Sequence, residues 1–158
     1  MSDERVVAAH RAAEEVKTRI QAINNDSFDL LFREARSHNG WQDRSVSDDQ
    51  LRQIYDLMKM GPTSSNCCPA RIRFLRSEAE KERLEPAIVP SNKEKTNTAP
   101  VVAIIGYDLN YWVHFERMFP QLPPPVRKRH KENSVFAEET AFRNGSLQGA
   151  YFIIAARA

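Results

Sequence analysis

The pattern of apolar and polar residues in the middle of the chain predicts a helix followed by a strand. Ser47–Gln50 has the Ser-x-x-Gln form of a helical capping box, and apolar residues recur at helical spacing over residues 51–58. Gly61 and Pro62 end that pattern. Over residues 70–74 apolar residues alternate with arginines, which predicts a strand with one solvent-exposed face.

A further helix, a second strand and a connection follow. Ser77 and Glu80 form another capping box, which predicts a short helix ending near Pro86. Residues 100–107 are continuously apolar, so we expect a strand covered on both faces in a layered fold of helices and sheet. Residues 123–131 combine three prolines with a basic run and predict an exposed connection.

The two ends of the chain differ in pattern. Residues 4–24 form a thin apolar stripe on a charged segment and predict a peripheral helical arm. Residues 134–158 predict a long helix, which is apolar on almost all sides from Leu147 onward and is therefore expected to be central and buried. No helix stop signal follows Arg157, so we expect that the chain is truncated within a larger fold.

Composition narrows the functional classes. The 158 residues favour one domain, and 23 Lys and Arg against 21 Asp and Glu give no charge argument for nucleic acid or membrane binding. No apolar run is long enough to span a bilayer, and the N-terminus lacks a secretory signal. Cys67 and Cys68 are neighbours, which disfavours an ordinary disulfide and predicts free thiols in the cytoplasm. The cysteines and histidines have no metal-ligand spacing.

The segment GPTSSNCCPARIRF, residues 61–74, carries the most informative chemistry. Small and polar side chains separate the predicted helix from the predicted strand. Such side chains let a backbone approach a flat ring closely, while hydroxyl and amide groups can hydrogen-bond to the polar edge of that ring. Considered alone, the same segment is also compatible with an ordinary connection.

An ordered set of segments resembles the FMN-dependent nitroreductase family. The set comprises LFREARSHNGW, VSDDQL, GPTSSNCCP, EKTNTAPVVAI and AEETAFRNGSLQGAYFIIAARA. It is most similar to the branch that reduces malonic semialdehyde to 3-hydroxypropanoate in pyrimidine catabolism. The resemblance covers residues 28–158, so the chain is interpreted as an N-terminal arm, residues 1–27, and a partial nitroreductase-like domain, residues 28–158.

The resemblance implies an α+β fold, a sheet flanked by helices without the family's C-terminal part, and a homodimer with FMN at its interface. It implies a ping-pong reaction in which NAD(P)H reduces the flavin and a small carbonyl, nitro or quinone compound then takes the hydride. No catalytic side chain is implied, because the cofactor carries the chemistry. The residues that the resemblance assigns to the cofactor are Arg36, Ser37, His38, Pro62, Thr63, Ser64, Asn66, Asn92 and Asn144.

Two departures from the family pattern leave an alternative open. Cys68 precedes Pro69 where the family usually has Gln, and adjacent cysteines can make a site sensitive to oxidation. The family's chain also continues beyond the last helix into segments that complete the FMN site and the dimer. The alternative is a degenerate homologue without bound flavin that acts at most as an interaction protein.

Overall fold

The computed structural model describes residues 3–20 and 22–158, and its internal contacts divide the chain into two units, residues 1–36 and 37–158. The first unit contains helix α1 (Asp3–Arg19), helix α2 (Asn25–Phe28) and a single π-helical turn (Asp29–Arg33). The backbone N–H of Ser27 donates to Oδ1 of Asn24, which caps α2. No described residue of α1 is buried, and the assignment of residues 1–27 as an arm stays a prediction. Position 21 of the predicted 4–24 helix lies outside the described residues.

The second unit contains six helices and two strands among its described residues. Short 3₁₀ turns (Ser64–Asn66, Glu85–Ala87 and Tyr111–His114) join several of them. The elements are α3 (Asp48–Met58), β1 (Ala70–Leu75), α4 (Glu78–Leu84), α5 (Pro90–Thr98), β2 (Val102–Tyr107), α6 (Phe115–Met118), α7 (Pro124–Glu132) and α8 (Ser134–Arg157).

Both predicted capping boxes are confirmed. Ser47 and Gln50 exchange side-chain and backbone hydrogen bonds at the start of α3, and Ser77 and Glu80 do so at the start of α4. Each pair satisfies backbone N–H groups that the first helical turn leaves without partners. The carboxylate of Glu80 also accepts from the backbone N–H of Arg76 and from Arg73, and these contacts lower its pKa to about 2.

The two strands form an antiparallel pair, with Ala70 opposite Tyr107 and Leu75 opposite Val102. Helix α8 packs across both strands and against α3. Two glycines allow this close packing: a Cβ at Gly61 would lie 2.2 Å from the ring of Tyr151, and a Cβ at Gly145 would lie 2.9 Å from the Cβ of Tyr107.

The expectation that the second strand is covered on both faces is wrong for this chain. Ile104, Ile105 and Tyr107 are each about 36–41% exposed. The sheet has two strands in the described residues, and α8 is the long helix packed on it, so part of its surface stays open.

The expectation for the last helix is also corrected. Its buried residues are Ala137, Thr140, Ala141, Asn144, Gly145 and Gln148. Leu147 and Ile153 are 40% and 61% exposed, so the most apolar part of α8 is its less buried part. The buried face of the helix carries small residues because these allow close packing. It carries polar residues because these form hydrogen bonds to the loop at residues 62–69.

The proline-rich basic segment is a helix rather than an exposed connection. Pro124 and Pro125 open α7, where a missing backbone N–H costs nothing. Its His130 is only 2% exposed and belongs to an aromatic cluster with Tyr111 and Phe115. The main core of the unit shares Tyr111 and Phe115 with this cluster and consists of Cys67, Tyr111, Phe115, Leu122, Ala137 and Ala141.

Candidate functional site

The loop over residues 62–69 has an unusual backbone. Ser65, Asn66 and Cys68 adopt positive φ angles of 51°, 49° and 37°. Residues other than glycine rarely adopt this region, and Asn does so more readily than most. Three such residues within four positions store backbone strain, which is concentrated at functional sites in proteins. The strain must be held by contacts from other elements.

Two buried amides on α8 hold the two ends of this loop. Oδ1 of Asn144 accepts the backbone N–H of Ser64 at 2.8 Å, and Oε1 of Gln148 accepts the backbone N–H of Ala70 at 2.8 Å. The two residues lie one turn apart on the same helix face. Nδ2 of Asn144 donates to the carbonyl of Thr140, so both ends of its amide are committed. Its contact with a cofactor therefore stays a prediction.

Asn66 and Thr63 fix the middle of the loop. Nδ2 of Asn66 donates to the carbonyl of Met118 at 2.7 Å, which joins the loop to the end of α6. Oγ1 of Thr63 accepts the backbone N–H of Cys68 at 3.2 Å. Pro62 and Ser64 are exposed at the loop surface. The loop therefore presents small groups outward while its own polar groups shape it.

The two cysteines are both free thiols. Burial raises the pKa of Cys67 to about 11, so this thiol is protonated at neutral pH. Cys67 is 3% exposed and packs in the core, whereas Cys68 is partly exposed and its thiol donates to Oδ1 of Asn66 at 3.4 Å. Cys67 is thus a packing residue and not a nucleophile.

A second group of predicted residues lies along α5. Nζ of Lys95 donates to Oδ1 of Asn39 at 3.1 Å, and Nε1 of Trp41 donates to the carbonyl of Lys95 at 2.7 Å. These bonds tie the segment that carries Ser37 and His38 to the helix that carries Asn92. The sequence interpretation missed Lys95, although it lies one turn after Asn92, on the same face of α5.

Arg36 belongs to the first unit. Its Nη1 donates to the carbonyls of Arg33 and Ala35 at 2.8 and 2.7 Å. A guanidinium has five N–H donors, so this side chain keeps donors for an anion. In the described residues, no hydrogen bond or ion pair joins the loop at residues 62–69 to the segment at residues 37–41. The predicted cofactor residues therefore form separate groups in one chain.

The loop also forms one wall of a cleft of about 800 Å³. Cys67 and Cys68 line it from the loop, α3 contributes Met58, and the end of α6 contributes Met118. A volume of this size is typical of small-molecule sites.

Curated relatives match most of the chain. A protein of Cupriavidus pinatubonensis is 52% identical over 135 residues, which cover 85% of this chain and 69% of the relative. A protein of Ralstonia pickettii is 54% identical over 134 residues, which cover 84% and 68%. Both are named, provisionally, NADH dehydrogenase/NAD(P)H nitroreductase. No family model matches the chain.

Solved structures share the fold at lower identity. A nitroreductase from Exiguobacterium sibiricum in complex with FMN is 19% identical, with a TM-score of 0.70 over 87% of this chain and 72% of that chain. CLA-ER, an enone reductase of gut-bacterial fatty acid saturation, is 15% identical, with a TM-score of 0.71 over the same shares. These similarities confirm the expected α+β, nitroreductase-like fold. None of the described helices is long and apolar enough to cross a membrane.

The identity and coverage of the curated relatives decide the family. More than half of the aligned residues are identical, over more than two thirds of each relative. The chain belongs to the NAD(P)H nitroreductase family.

Proposed function

We propose that the protein is an FMN-dependent NAD(P)H oxidoreductase. The observation that carries the proposal is the strained loop at residues 62–69, held from α8 and α6 in a chain whose relatives are named NAD(P)H nitroreductases. A structural neighbour contains FMN, and another is named an NAD(P)H:FMN oxidoreductase. The free thiols and the nicotinamide reductant fit a cytoplasmic protein.

The donor set fits FMN. In the described part of the chain, the hydroxyls of Ser37 and Ser64 and the side-chain amide of Asn92 make no hydrogen bond, so they are available to a ligand. Pro62 and Ser64 present small groups beside which a flat ring can lie. Arg36 carries the guanidinium that suits a phosphate, and guanidinium–phosphate contacts are often bidentate.

The residues have separate tasks in this proposal. Ser64 and Asn92 would bind the polar edge of the flavin, while Arg36, Ser37 and His38 would bind its phosphate and ribityl chain. Asn144 and Gln148 would keep the loop in place and so position Ser64. When bound, FMN supplies a two-electron relay between the nicotinamide and the acceptor.

A homodimer would unite the separate groups of residues. The loop at residues 62–69 and the α5 group are not bonded to each other in the described residues of one chain, and the sheet keeps exposed apolar residues. A second copy could supply one group to the other. Size-exclusion chromatography with light scattering tests this arrangement, and a monomer that binds FMN stoichiometrically would contradict it.

For the acceptor, we propose a small carbonyl compound, with malonic semialdehyde as the first candidate. The net reaction is aldehyde plus NAD(P)H plus a proton to alcohol plus NAD(P)⁺. The proposal rests on the sequence resemblance to the malonic semialdehyde branch. Quinones and nitroaromatics are the second class of acceptor, as the names of the relatives suggest.

Titration of the protein with FMN tests the flavin assignment directly. We expect quenching of flavin fluorescence to saturate at one FMN per chain, with a yellow protein after desalting. Arg36→Ala should raise the dissociation constant about tenfold or more, because one charge-assisted contact contributes about 1.5–3 kcal/mol. Arg83→Gln, at an exposed position of α4, removes the same charge elsewhere and serves as the control.

The contrary results are equally distinct. A colourless protein without flavin quenching would overturn the assignment and favour the flavin-free interaction protein. Unchanged FMN affinity in Arg36→Ala would leave FMN binding in place but remove Arg36 from the site.

A further inference from the structure

The cleft beside the loop has a one-sided charge distribution. Its lining residues include Lys59, Arg71, His114 and Arg117, and within the described part of the chain none of them is acidic. Glu116 lies next to Arg117 in α6 but lines a different depression, together with Lys128 and Lys131. The described lining of the cleft therefore carries basic side chains and no carboxylate of its own.

The cations of the cleft are not equivalent. Lys59 forms an ion pair with Asp56. Nη2 of Arg71 lies 2.7 Å from Oδ2 of Asp108. Arg117, by contrast, forms no hydrogen bond or ion pair with any residue that the structure describes. Among the described residues, Arg117 is thus the cation of this cleft whose charge is left for a ligand.

His114 adds a hydrogen-bonding group beside this charge. It is three residues before Arg117 across a 3₁₀ turn and the start of α6, a separation that places side chains on neighbouring positions of a helical surface. Its ring also has no hydrogen-bond partner among the residues described. A guanidinium and an imidazole together can bind both oxygens of a carboxylate.

The loop fixes where this pair stands. Nδ2 of Asn66 holds the carbonyl of Met118, the residue after Arg117, at 2.7 Å. Cys67 and Cys68 of the same loop line the same cleft. A molecule that contacts the loop could therefore also reach Arg117.

We propose that Arg117, assisted by His114, binds the carboxylate of a small acidic substrate and so selects acidic aldehydes over uncharged ones. One unpaired guanidinium matches one carboxylate, whereas a nicotinamide diphosphate requires more positive charge than the cleft has free. Apolar lining by Ile72 and Phe74 suits the short carbon chain of such a substrate.

This inference rests on the proposed reductase function only for the predicted preference for acidic over uncharged aldehydes. The reaction converts R–CHO, NAD(P)H and a proton to R–CH₂OH and NAD(P)⁺, and the carboxylate that Arg117 binds does not change. Anion binding by the cleft can be measured without turnover. The two ideas can therefore fail separately.

The binding test uses malonate, a dicarboxylate that the reaction cannot reduce. Isothermal titration calorimetry is carried out on the whole protein as purified, on Arg117→Gln and on Arg83→Gln. We expect the malonate dissociation constant to rise about tenfold or more in Arg117→Gln, with Arg83→Gln equal to the wild type. Arg117→Lys keeps the charge without the planar fork and should fall between them.

The kinetic test compares malonic semialdehyde with its methyl ester, which has the same aldehyde but no charge. We expect the ratio of kcat/KM for acid over ester to fall about tenfold in Arg117→Gln, mainly through KM, and to stay unchanged in Arg83→Gln. If the protein holds no FMN and turns over neither substrate, the result counts against the reductase function. The calorimetry then decides whether Arg117 binds a carboxylate.

Three results would overturn the inference. The first is undetectable malonate binding to the wild type. The second is equal malonate affinity in the wild type and Arg117→Gln. The third is tighter binding of inorganic phosphate than of malonate, lost in Arg117→Gln, which would assign the cleft to a phosphate instead of a carboxylate.

Discussion

Replacing Asn144 by alanine removes one of the two amides that hold the loop at residues 62–69. The backbone N–H of Ser64 loses its acceptor at 2.8 Å, a loss of about 1 kcal/mol. The missing amide also leaves a small void at a site that is 8% exposed, which costs on the order of 1 kcal/mol. Alanine is the better helix former by about 0.6 kcal/mol. The expected loss of unfolding free energy is about 1.5 kcal/mol.

Urea unfolding followed by far-UV circular dichroism measures this loss. Ser146→Ala is the matched control, because Ser146 is exposed on the same helix and its replacement should be neutral or stabilising by about 0.5 kcal/mol. Gln148→Ala should cost a similar amount, since its amide holds Ala70 at the other end of the loop. The double variant should lose less than the sum, because both amides constrain one loop. A loss in Asn144→Ala below about 0.5 kcal/mol would refute this account of the loop.

Two further predictions concern other buried polar groups. Burial and the neighbouring Arg129 lower the pKa of His130, so the histidine binds a proton more readily in the unfolded chain than in the folded one. The free energy of unfolding should therefore be full above pH 6.5 and fall as the pH drops below it. His130→Gln should lose this dependence when unfolding is measured from pH 5 to 8. An unchanged pH profile in the variant would contradict this reading. Lys81 is 7% exposed and donates through Nζ to the carbonyls of Asn97 and Ala99. Lys81→Met should therefore lower the free energy of unfolding by about 1–3 kcal/mol in thermal or urea unfolding. Lys128→Met, at an exposed position, should not lower it. Equal losses in both lysine variants would remove the special role of Lys81.

Burial shifts the pKa values of two neighbouring core groups, His130 and Tyr111. Desolvation raises the pKa of Tyr111, which therefore keeps its proton at neutral pH. Its hydroxyl lies 2.7 Å from Nδ1 of His130. Because burial also keeps His130 neutral, this hydrogen bond joins an uncharged hydroxyl to an uncharged imidazole. The pair is a structural contact in the core, where Tyr111 belongs to the same buried cluster as Cys67 of the loop.

Local sequence signals located the main elements near the loop. Short segments predicted the two capping boxes, the alternating strand over residues 70–74 and the apolar strand over residues 100–107. The structure has these strands at Ala70–Leu75 and Val102–Tyr107. These signals work because hydrogen bonds at a helix start and the alternation of strand faces involve residues only a few positions apart. The ordered motifs also indicated the family, which the curated relatives confirm.

The same signals misjudged residues 123–131. Prolines and basic residues usually mark loops, yet Pro124 and Pro125 open α7 and His130 is buried. Proline is tolerated in the first turn of a helix, so composition alone cannot separate a helix start from a connection. The packing of residues 124–132 against α8 decides between a helix and a connection.

By itself, the sequence determined the family, the residue types of the loop and the elements with local signals, such as the two capped helices and the two strands. The tertiary structure decided which groups hold that loop: Asn144 and Gln148 bond to residues 80 and 78 positions away. It also decided that Lys81 donates to the carbonyls of Asn97 and Ala99 at the end of α5, and that the Arg117 side chain has no partner among the described residues. These facts depend on which distant backbone groups come within hydrogen-bonding distance when the helices pack. Helical periodicity and local spacing carry no information about such distances.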